Sequence, residues 1–322
     1  MPACAGMTAT LLTTLFLVFG LAACGPVAEP PLRIGTNVWP GYETLYLARD
    51  LGELDGSSVR LVELPSATAV IQGLRNGVLD GGALTLDETL TVLQDGIDLK
   101  VVLVMDESAG GDAVLARPEI GTTAALKGRR IGVENTAVGA IMLQAVLDDA
   151  GLEAADVEIV KATVDRHAEL FRAGSVDAVV TFEPVRSQLL AGGARQVFDS
   201  SRVPGRIVDV LAVRTEAIER SPESVRRLVA AQFAALAHLR AQPEDAARRM
   251  QPRLRLEPKA VLKSFEGLRL PDLGANQRLL AGPAPELNEA AAMLARLMQQ
   301  QTLLTRDVDV TRLADGGHLP SP

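Results

Sequence analysis

The chain has 322 residues, of which 48% are hydrophobic and 22% charged, a mixture that is typical of a core-forming globular protein and excludes a disordered or fibrous one. Its 32 Lys and Arg against 40 Asp and Glu give a formal net charge of −8, and no stretch is rich in Lys or Arg. Both facts argue against nucleic acid as a partner, because phosphate binding needs a basic surface.

The N-terminal segment predicts export. An apolar run from Leu11 to Val18 precedes Leu-Ala-Ala-Cys at positions 21–24, and this run is shorter than the roughly 20 residues that a transmembrane helix needs. The sequence Leu-Ala-Ala-Cys resembles the bacterial lipobox, whose cysteine becomes the acylated first residue of the mature chain. In this chain that residue would be Cys24. We therefore predict a signal peptide over 1–23, a tether over 24–31 and a membrane-anchored periplasmic lipoprotein. The alternative is a plain signal peptide with an incidental cysteine, and the lack of a basic residue before the apolar run is atypical of any signal.

From Leu32 onward, short apolar runs alternate with segments of helical periodicity, which is typical of strand-helix units and a mostly parallel sheet. In the first set, over residues 32–108, the predicted strands are LRIGTNV, SVRLVEL, LDGGALT and LKVVLVM. The predicted helices carry apolar residues at three- and four-residue spacing and end near a glycine: YETLYLARDLGEL, ATAVIQGLRNG and DETLTVLQDG.

A second set of the same kind covers residues 113–207, and IVDVLAVR follows as a last strand. From Glu216 to about Leu304 the pattern is helical. Turns are predicted in this tail at Pro222, Pro252, Pro258 and Pro271. Two units of similar size predict two lobes with a cleft between them, where a ligand would bind beyond the carboxyl ends of the strands.

Four segments carry a resemblance to a known family. They are LRIGTNVWPGYETLYLARDLGELD, LRNGVLDGGALTLDETLTVLQDGIDLKVVLV, LKGRRIGVENTAVGAIMLQAVLDDAGL and FRAGSVDAVVTFEPVRSQL. Together, from about residue 32 to 250, they resemble the nitrate/sulfonate/taurine-type substrate-binding proteins of ABC importers. The resemblance implies a small-molecule ligand, a permease with its ATPase as partners, and neither catalysis nor a cofactor or metal. We expect a monomer.

The resemblance also implies the architecture, an α/β two-lobed periplasmic binding protein fold of the second type. Lobe 1 would comprise residues 32–110 and 208–315, including the C-terminal helices, and lobe 2 residues 111–207. The strands in GGDAVLAR and IVDVLAVR would cross between the lobes and form the hinge.

The aromatic residues with polar tips are concentrated in NVWPGYETLY, which holds the single Trp of the chain and both of its Tyr. The segment follows the first predicted strand at the edge that would face the cleft, so Trp39 and Tyr42 are predicted to offer a flat surface to a solute. Tyr46, one turn later, is predicted to pack beneath Tyr42. The alternative is that all three rings belong to the core.

Other predicted strand ends supply polar candidates. Ser66, Thr68 and Thr136 lie at helix starts, where a hydroxyl caps the helix and free amides attract an anion or a carbonyl. Capping alone is the simpler role for each. Thr85 and Asp87 follow the third strand, and glycines in the linker that ends at Asp112 would flex.

Six acids lie at strand ends or crossovers, where few Lys or Arg occur. They are Asp87, Asp106, Asp112, Glu134, Glu183 and Asp209. Like charges repel strongly in a closed cleft, so these acids predict a cationic or amino-bearing solute or a nitrogen heterocycle stacked on Trp39, and not a sulfonate or nitrate. Each acid could instead cap a helix or pair across the lobes.

Enzymatic interpretations find little support in the sequence. His167 lies in a surface-like helix, His318 lies near the terminus, and there is no Ser-His-Asp arrangement, phosphate loop or paired Cys/His spacing. The alternatives are a biosynthetic enzyme of the same fold, as in menaquinone or pyrimidine pathways, and a solute-sensing lipoprotein. The export signal argues against the enzyme, because those enzymes are cytoplasmic, but it does not separate sensing from transport.

Overall fold

The computed structural model describes residues 30–321, so Cys24, the predicted signal peptide and most of the predicted tether lie outside the described residues. Every predicted strand overlaps an observed one. In chain order the strands are β1 (Leu32–Thr36), β2 (Val59–Glu63), β3 (Gly81–Thr85), β4 (Leu99–Ser108), β5 (Ala113–Ala116), β6 (Arg130–Val133), β7 (Glu158–Lys161), β8 (Ala178–Thr181), β9 (Arg195–Asp199), β10 (Val208–Arg214) and β11 (Leu268–Arg269).

The helices connect these strands and then form the C-terminal part of the chain. They are α1 (Glu43–Asp50), α2 (Ala67–Arg75), α3 (Leu86–Gln94), α4 (Ala137–Ala150), α5 (Val164–Arg172), α6 (Val185–Ala191), α7 (Thr215–Arg220), α8 (Pro222–Ala241), α9 (Pro243–Leu254), α10 (Pro258–Ser264), α11 (Leu273–Leu280) and α12 (Glu286–Gln300). Three of them begin at a proline, which suits a first helical position because no amide hydrogen is needed there. Pro252 was predicted to interrupt the tail, but it lies inside α9, close to the end of that helix.

A six-stranded sheet has the order β11-β4-β10-β3-β1-β2. Strand β1 pairs parallel with β2 and β3, whereas β10 lies antiparallel between β3 and β4. The carboxyl ends of β1 and β3 therefore open on one edge of the sheet. Because β10 runs the opposite way, Asp209 near its start lies beside Thr85 on that same edge.

A five-stranded sheet has the order β7-β6-β8-β5-β9, with β6 parallel to β7 and β8 and with β5 antiparallel to β8 and β9. We call the residues around the six-stranded sheet (31–108 and 208–321) lobe 1 and those around the five-stranded sheet (113–199) lobe 2. The domain boundaries predicted from the sequence remain a prediction, since the residues from Pro31 onward cluster by their contacts as one compact unit.

The chain passes between the sheets at residues 109–112 and 200–207. The strands β5 and β10 were expected to cross between the lobes, but each pairs within a single sheet. Strand β5 pairs with β8 and β9, whereas β10 pairs with β3 and β4. The short segments that precede these two strands therefore make the crossings. The crossings contact each other where Gly110 N donates a hydrogen bond to Ser200 Oγ at 2.7 Å, and the hydroxyl oxygen of Ser108, at the end of β4, lies 2.8 Å from that of Ser200. Gly267 O accepts hydrogen bonds from Ala109 N at 2.8 Å and Gly111 N at 3.1 Å, which ties the first crossing to lobe 1.

Candidate functional site

A small cavity, part of it open to solvent, lies where the carboxyl ends of β1 and β3 face lobe 2. Its lining combines residues of both lobes and of the first crossing: Asn37, Trp39, Tyr42, Ala67, Thr85, Glu88, Asp112, Val138, Phe182 and Asp209. A polar and aromatic cavity at strand ends between two lobes has the form of a small-molecule binding site.

Trp39 and Tyr42 belong to the aromatic part of this lining, as the sequence predicted, although their role in binding is still a prediction. Trp39 precedes the 3-10 helix Pro40–Tyr42 and donates its indole Nε1–H to Asp106 Oδ2 at 3.1 Å. Its ring also meets the ring of Phe182 edge-to-face, with centroids 5.5 Å apart. Since Phe182 belongs to lobe 2, Trp39 contacts both sides of the cleft.

The Tyr42 hydroxyl donates to Asp209 Oδ1, so the second aromatic residue is also held by a buried acid. Tyr46 does not reach the cavity. Its hydroxyl oxygen lies 2.5 Å from Thr36 Oγ1, and the Arg253 guanidinium lies 3.2 Å from its ring centroid. Tyr46 is therefore a core residue.

Gly41 allows the acid and the aromatic residues to approach each other. A Cβ at this position would lie 1.8 Å from Asp106 Oδ2 and 2.8 Å from Trp39 Nε1. Any other residue would therefore push Asp106 away from Trp39, so glycine at position 41 is required by close contact.

Five carboxyl groups are buried at or next to the cavity, and among the described residues no Lys or Arg lines it. Burial raises the pKa of Asp87 and of Asp106 to about 7, that of Asp112 to about 6 and that of Glu88 to about 8. The pKa of Asp209 is raised well above its usual value, first by burial and then by the charge of Asp106. These groups can take up or release protons near neutral pH.

Several of the carboxyl oxygens have no hydrogen-bond partner among the described residues. They are Asp106 Oδ1, Glu88 Oε1 and both oxygens of Asp87. A buried acceptor without a donor costs free energy, so such oxygens either hold a proton or await a donor from a bound molecule. Asp87 lies in the first turn of α3 behind the cavity lining, whereas Glu88 lines the cavity itself.

Three predicted hydroxyl residues lie outside the lining. Ser66 accepts a hydrogen bond from Ala69 N at 3.3 Å and caps α2, and Thr136 accepts one from Gly139 N at 3.3 Å and caps α4. Thr68 donates to the carboxylate of Glu134. For Ser66 and Thr136, capping is the role that the geometry supports.

Glu183 was predicted to face the ligand, but the structure does not place it on the cavity. It is fully buried and its carboxylate accepts hydrogen bonds from Arg186 Nη1 at 2.9 Å, Ser187 N at 3.1 Å and Ser187 Oγ at 3.0 Å. Partners three and four residues along the chain therefore use both of its oxygens.

His167 was expected in a surface-like helix, but it is buried, with Nε2 3.1 Å from Ala162 O and Nδ1 3.3 Å from Thr181 Oγ1. Burial lowers its pKa, so it is a neutral packing residue. His318 is buried too, in the 3-10 helix Gly316–His318, rather than part of a loose terminus.

The sequence did not single out five lining residues: Asn37, Ala67, Glu88, Val138 and Phe182. Asn37 and Phe182 directly follow β1 and β8, so the strand-end rule that found Trp39 could have found them. Glu88 lies three residues after Thr85 and accepts a hydrogen bond from Thr85 N at 3.1 Å, a spacing that signals a capping box.

Among residues 30–321, no group of three or more His, Cys, Asp or Glu side chains is arranged to hold a metal ion. In the same part of the chain, no helix combines the length and the apolar character needed to span a membrane.

The NMT1-like family matches residues 25–251 of this chain. A protein of Bacillus subtilis (strain 168), named for binding aliphatic sulfonates, is 27% identical over 232 residues, which are 68% of this chain and 69% of that protein. Binding proteins of Brucella, among them one of Brucella abortus (strain 2308), are 26% identical over 209 residues, or 62% of this chain. The chain spans 64% of the length of these Brucella relatives.

Solved structures share the fold. The alkanesulfonate-binding protein SsuA of Xanthomonas axonopodis pv. citri, bound to MOPS, has a TM-score of 0.74 at 20% identity and covers 88% of this chain and 97% of its own. The desulfurization enzyme DSZB has a TM-score of 0.63 at 19% identity, with 89% and 97% covered. These matches confirm the predicted periplasmic binding protein fold, which serves binding proteins and at least one enzyme.

Proposed function

Because the chain belongs to the NMT1-like family, we propose that it is the extracytoplasmic solute-binding component of an ABC importer, which captures a small molecule between its lobes and delivers it to a permease and its ATPase. The observation that carries this proposal is the cavity, whose lining is contributed by both lobes. A ligand that touches both sides favours closure, and a permease can distinguish the closed shape from the open one.

The chemistry of the lining favours a ligand that donates hydrogen bonds, either a cation or a nitrogen heterocycle. Glu88, Asp112 and Asp209 line the cavity without a cationic side chain, and Glu88 Oε1 still lacks a donor. An amino, amidine or ring N–H group would supply that donor, and Trp39 would stack on a flat ring.

An organosulfonate is the second candidate, and it is favoured by the names of the relatives, which lend no support to a cationic ligand. The Bacillus subtilis protein is named for aliphatic sulfonates, and the Xanthomonas protein holds MOPS. The raised pKa values give this candidate a physical basis, because a protonated carboxyl can donate to a sulfonate oxygen.

Calorimetric titration of the purified protein separates the two candidates. Benzamidine and 4-aminopyrimidine serve as donor-bearing probes, and methanesulfonate and MOPS as sulfonates. The donor proposal expects heat from the first pair alone and a loss of affinity in Asp209→Asn. Asp156→Asn is the control, because Asp156 is half-buried and lies outside the cavity lining. Tight binding of the sulfonates without the donors would leave the importer function standing and make the sulfonate the ligand.

Binding without chemical change is part of the proposal, because the named relatives are binding proteins whereas the fold also serves an enzyme. A metabolite mixture incubated with the protein should lose one compound in an amount no greater than the protein added. Appearance of a product over many turnovers would transfer the function to the enzymatic alternative. Disruption of a neighbouring permease gene should abolish solute uptake, whereas a solute sensor would leave uptake unchanged.

Membrane anchoring through Cys24 completes the proposal and rests on the sequence, since this residue lies outside the described part of the chain. Each buried methylene of an acyl chain contributes about 0.8 kcal/mol, and two or more chains give stable attachment. Cys24→Ala should release the protein from the membrane fraction. An unacylated N-terminus in mass spectrometry of the wild type would contradict the anchor.

A further inference from the structure

Glu134 makes the hydrogen bonds that join the lobes away from the crossings. Its Oε1 accepts from Thr68 N at 3.0 Å and from Thr68 Oγ1 at 2.6 Å, and its Oε2 accepts from Val164 N at 3.2 Å. Thr68 belongs to lobe 1, whereas Glu134 and Val164 belong to lobe 2. One carboxylate thus connects three donors from two sides of the cleft.

The donors lie at the beginnings of two helices. Thr68 is in the first turn of α2 and Val164 is the first residue of α5. Helix starts carry free amides and a partial positive charge, so a carboxylate between two of them is stabilised by both. Glu134 therefore occupies a position that would otherwise suit an external anion.

Few other polar contacts cross the cleft. Among the hydrogen bonds and ion pairs of residues 30–321, the remaining links between the lobes involve the crossings, such as Ser108 with Ser200 and Glu107 with Gly205. The other contacts are apolar, notably Trp39 with Phe182 and helix α3 with helix α4, whose Leu90 and Ile141 belong to one core cluster. Without the Glu134 contact, only these apolar contacts and the crossings would hold the lobes together.

The contact lies at the rim of the cleft, since Glu134 is 5% exposed and Thr68 is exposed. Glu134 also lines a second, smaller cavity that shares Asp112, Val138 and Phe182 with the main one. A residue at the rim, beside the ligand cavity, is placed to control both closure and the charge of what enters.

We propose that Glu134 is a specificity-determining latch, an internal anion that holds the lobes closed through the starts of α2 and α5 and keeps a ligand anion out of that position. The closing role stands by itself, and only the exclusion of ligand anions rests on the proposed function. Charge-assisted hydrogen bonds are about twice as strong as neutral ones, so we expect removal of the carboxylate to lower the closed-to-open ratio by about tenfold.

The test measures closure of the whole protein without any solute. Acrylamide quenching reports the exposure of Trp39, the sole tryptophan, and small-angle X-ray scattering reports the radius of gyration. We expect Glu134→Ala to increase both the quenching of Trp39 and the radius of gyration. Glu134→Gln should give values between those of Glu134→Ala and the wild type. Thr68→Val, which removes a hydroxyl donor on the lobe 1 side, should give values like those of Glu134→Ala. The matched control is Asp272→Ala, which removes a carboxylate that caps α11 through Ala275 N at 2.8 Å within lobe 1.

Acetate should then re-close Glu134→Ala, because it restores a carboxylate between the two helix starts, while equal concentrations of chloride should not. Methanesulfonate should bind to Glu134→Ala and not to the wild type. If Glu134→Ala and Thr68→Val both match the wild type in quenching and in radius, the latch is refuted and Glu134 merely caps α5. If both variants open but the wild type binds methanesulfonate in competition with acetate, or Glu134→Ala does not bind it, exclusion is refuted and closure is retained. Neither result depends on the natural ligand, so the latch can fail without the importer function failing.

Discussion

Asp106 and Asp209 lie directly opposite each other on the antiparallel strands β4 and β10. Both are buried, one receiving the Trp39 indole N–H and the other the Tyr42 hydroxyl. Side chains opposite each other in a sheet share one face, and two like charges there destabilise the fold. The pair is therefore stable only when it shares at least one proton or meets a positive group.

The first prediction concerns stability against pH. The folded-state pKa of Asp106 is about 7, above the unfolded value of 3.8, so the folded state binds this proton more tightly. Stability from such a group is full below the unfolded pKa and is lost as pH rises through the folded one. With about 1.4 kcal/mol per pKa unit and about 2–4 °C per kcal/mol, we expect Tm to fall by at least about 3 °C between pH 5 and pH 8.

Asp209→Asn should reduce this fall, because it removes one charge of the pair while an amide oxygen still accepts from Tyr42. Asp156→Asn is the control, since the pKa of Asp156 is lowered and its contribution is lost only at acid pH. Calorimetric melting from pH 5 to pH 8 checks both variants. A Tm that rises over this range in the ligand-free protein would mean that the acids are ionised and stabilised by other groups.

The second prediction uses pH to identify the ligand class. A cationic ligand needs ionised carboxylates, so its affinity should rise from pH 5 to pH 8 as it displaces protons from acids with pKa values of about 6 to 8. A sulfonate that accepts from protonated acids should lose affinity over the same range. One displaced proton corresponds to roughly a tenfold change per pH unit, and titration in buffers of different ionisation enthalpy counts the protons.

The third prediction concerns Gly41. Gly41→Ala should place a methyl carbon against Asp106 and destabilise the protein by about 1–3 kcal/mol through overpacking and loss of the Trp39 hydrogen bond. Gly56→Ala is the matched control, because nothing lies within 4 Å of a Cβ at that position. Denaturant unfolding of both variants provides the comparison, and equal stabilities would show that Asp106 moves aside without cost.

The fourth prediction separates the ring of Trp39 from its N–H group. Trp39→Phe keeps an aromatic face against Phe182 but leaves Asp106 Oδ2 without its donor, at a cost of about 1–3 kcal/mol. This loss should grow as pH rises and Asp106 ionises. Phe182→Leu, which removes an aromatic contact and no hydrogen bond, should instead show a pH-independent loss in the same melting series.

The strand ends could be located from the sequence, because alternating apolar runs identify strands and a parallel sheet aligns their carboxyl ends. This reasoning placed Trp39, Tyr42 and Thr85 at the cavity, whereas Asp112 and Asp209 were singled out as acids beside the predicted crossovers. Local periodicity carries this information, so no knowledge of tertiary packing was needed.

The direction of individual side chains could not be predicted in the same way. Glu183 lies at a strand end but bonds to Arg186 and Ser187, whose positions depend on how α6 begins. Phe182 lines the cavity because its ring meets Trp39 from the other lobe, a contact between residues far apart in sequence. His167 was misplaced because its helix is rich in charged residues, although the histidine occupies the buried side.

The position of β10 between β3 and β4 has a consequence for how the chain is made. Lobe 2 uses one uninterrupted stretch, whereas the six-stranded sheet lacks a central strand until residues 208–214 have been synthesised. Contacts distant in sequence form slowly, and segments that emerge first fold first only if they are complete. Hydrogen-exchange pulse labelling during refolding should protect β6 and β8 before β3 and β4. The lobe whose first strands leave the ribosome first is thus the lobe that is completed last, and its unpaired strands are where a chaperone would be needed.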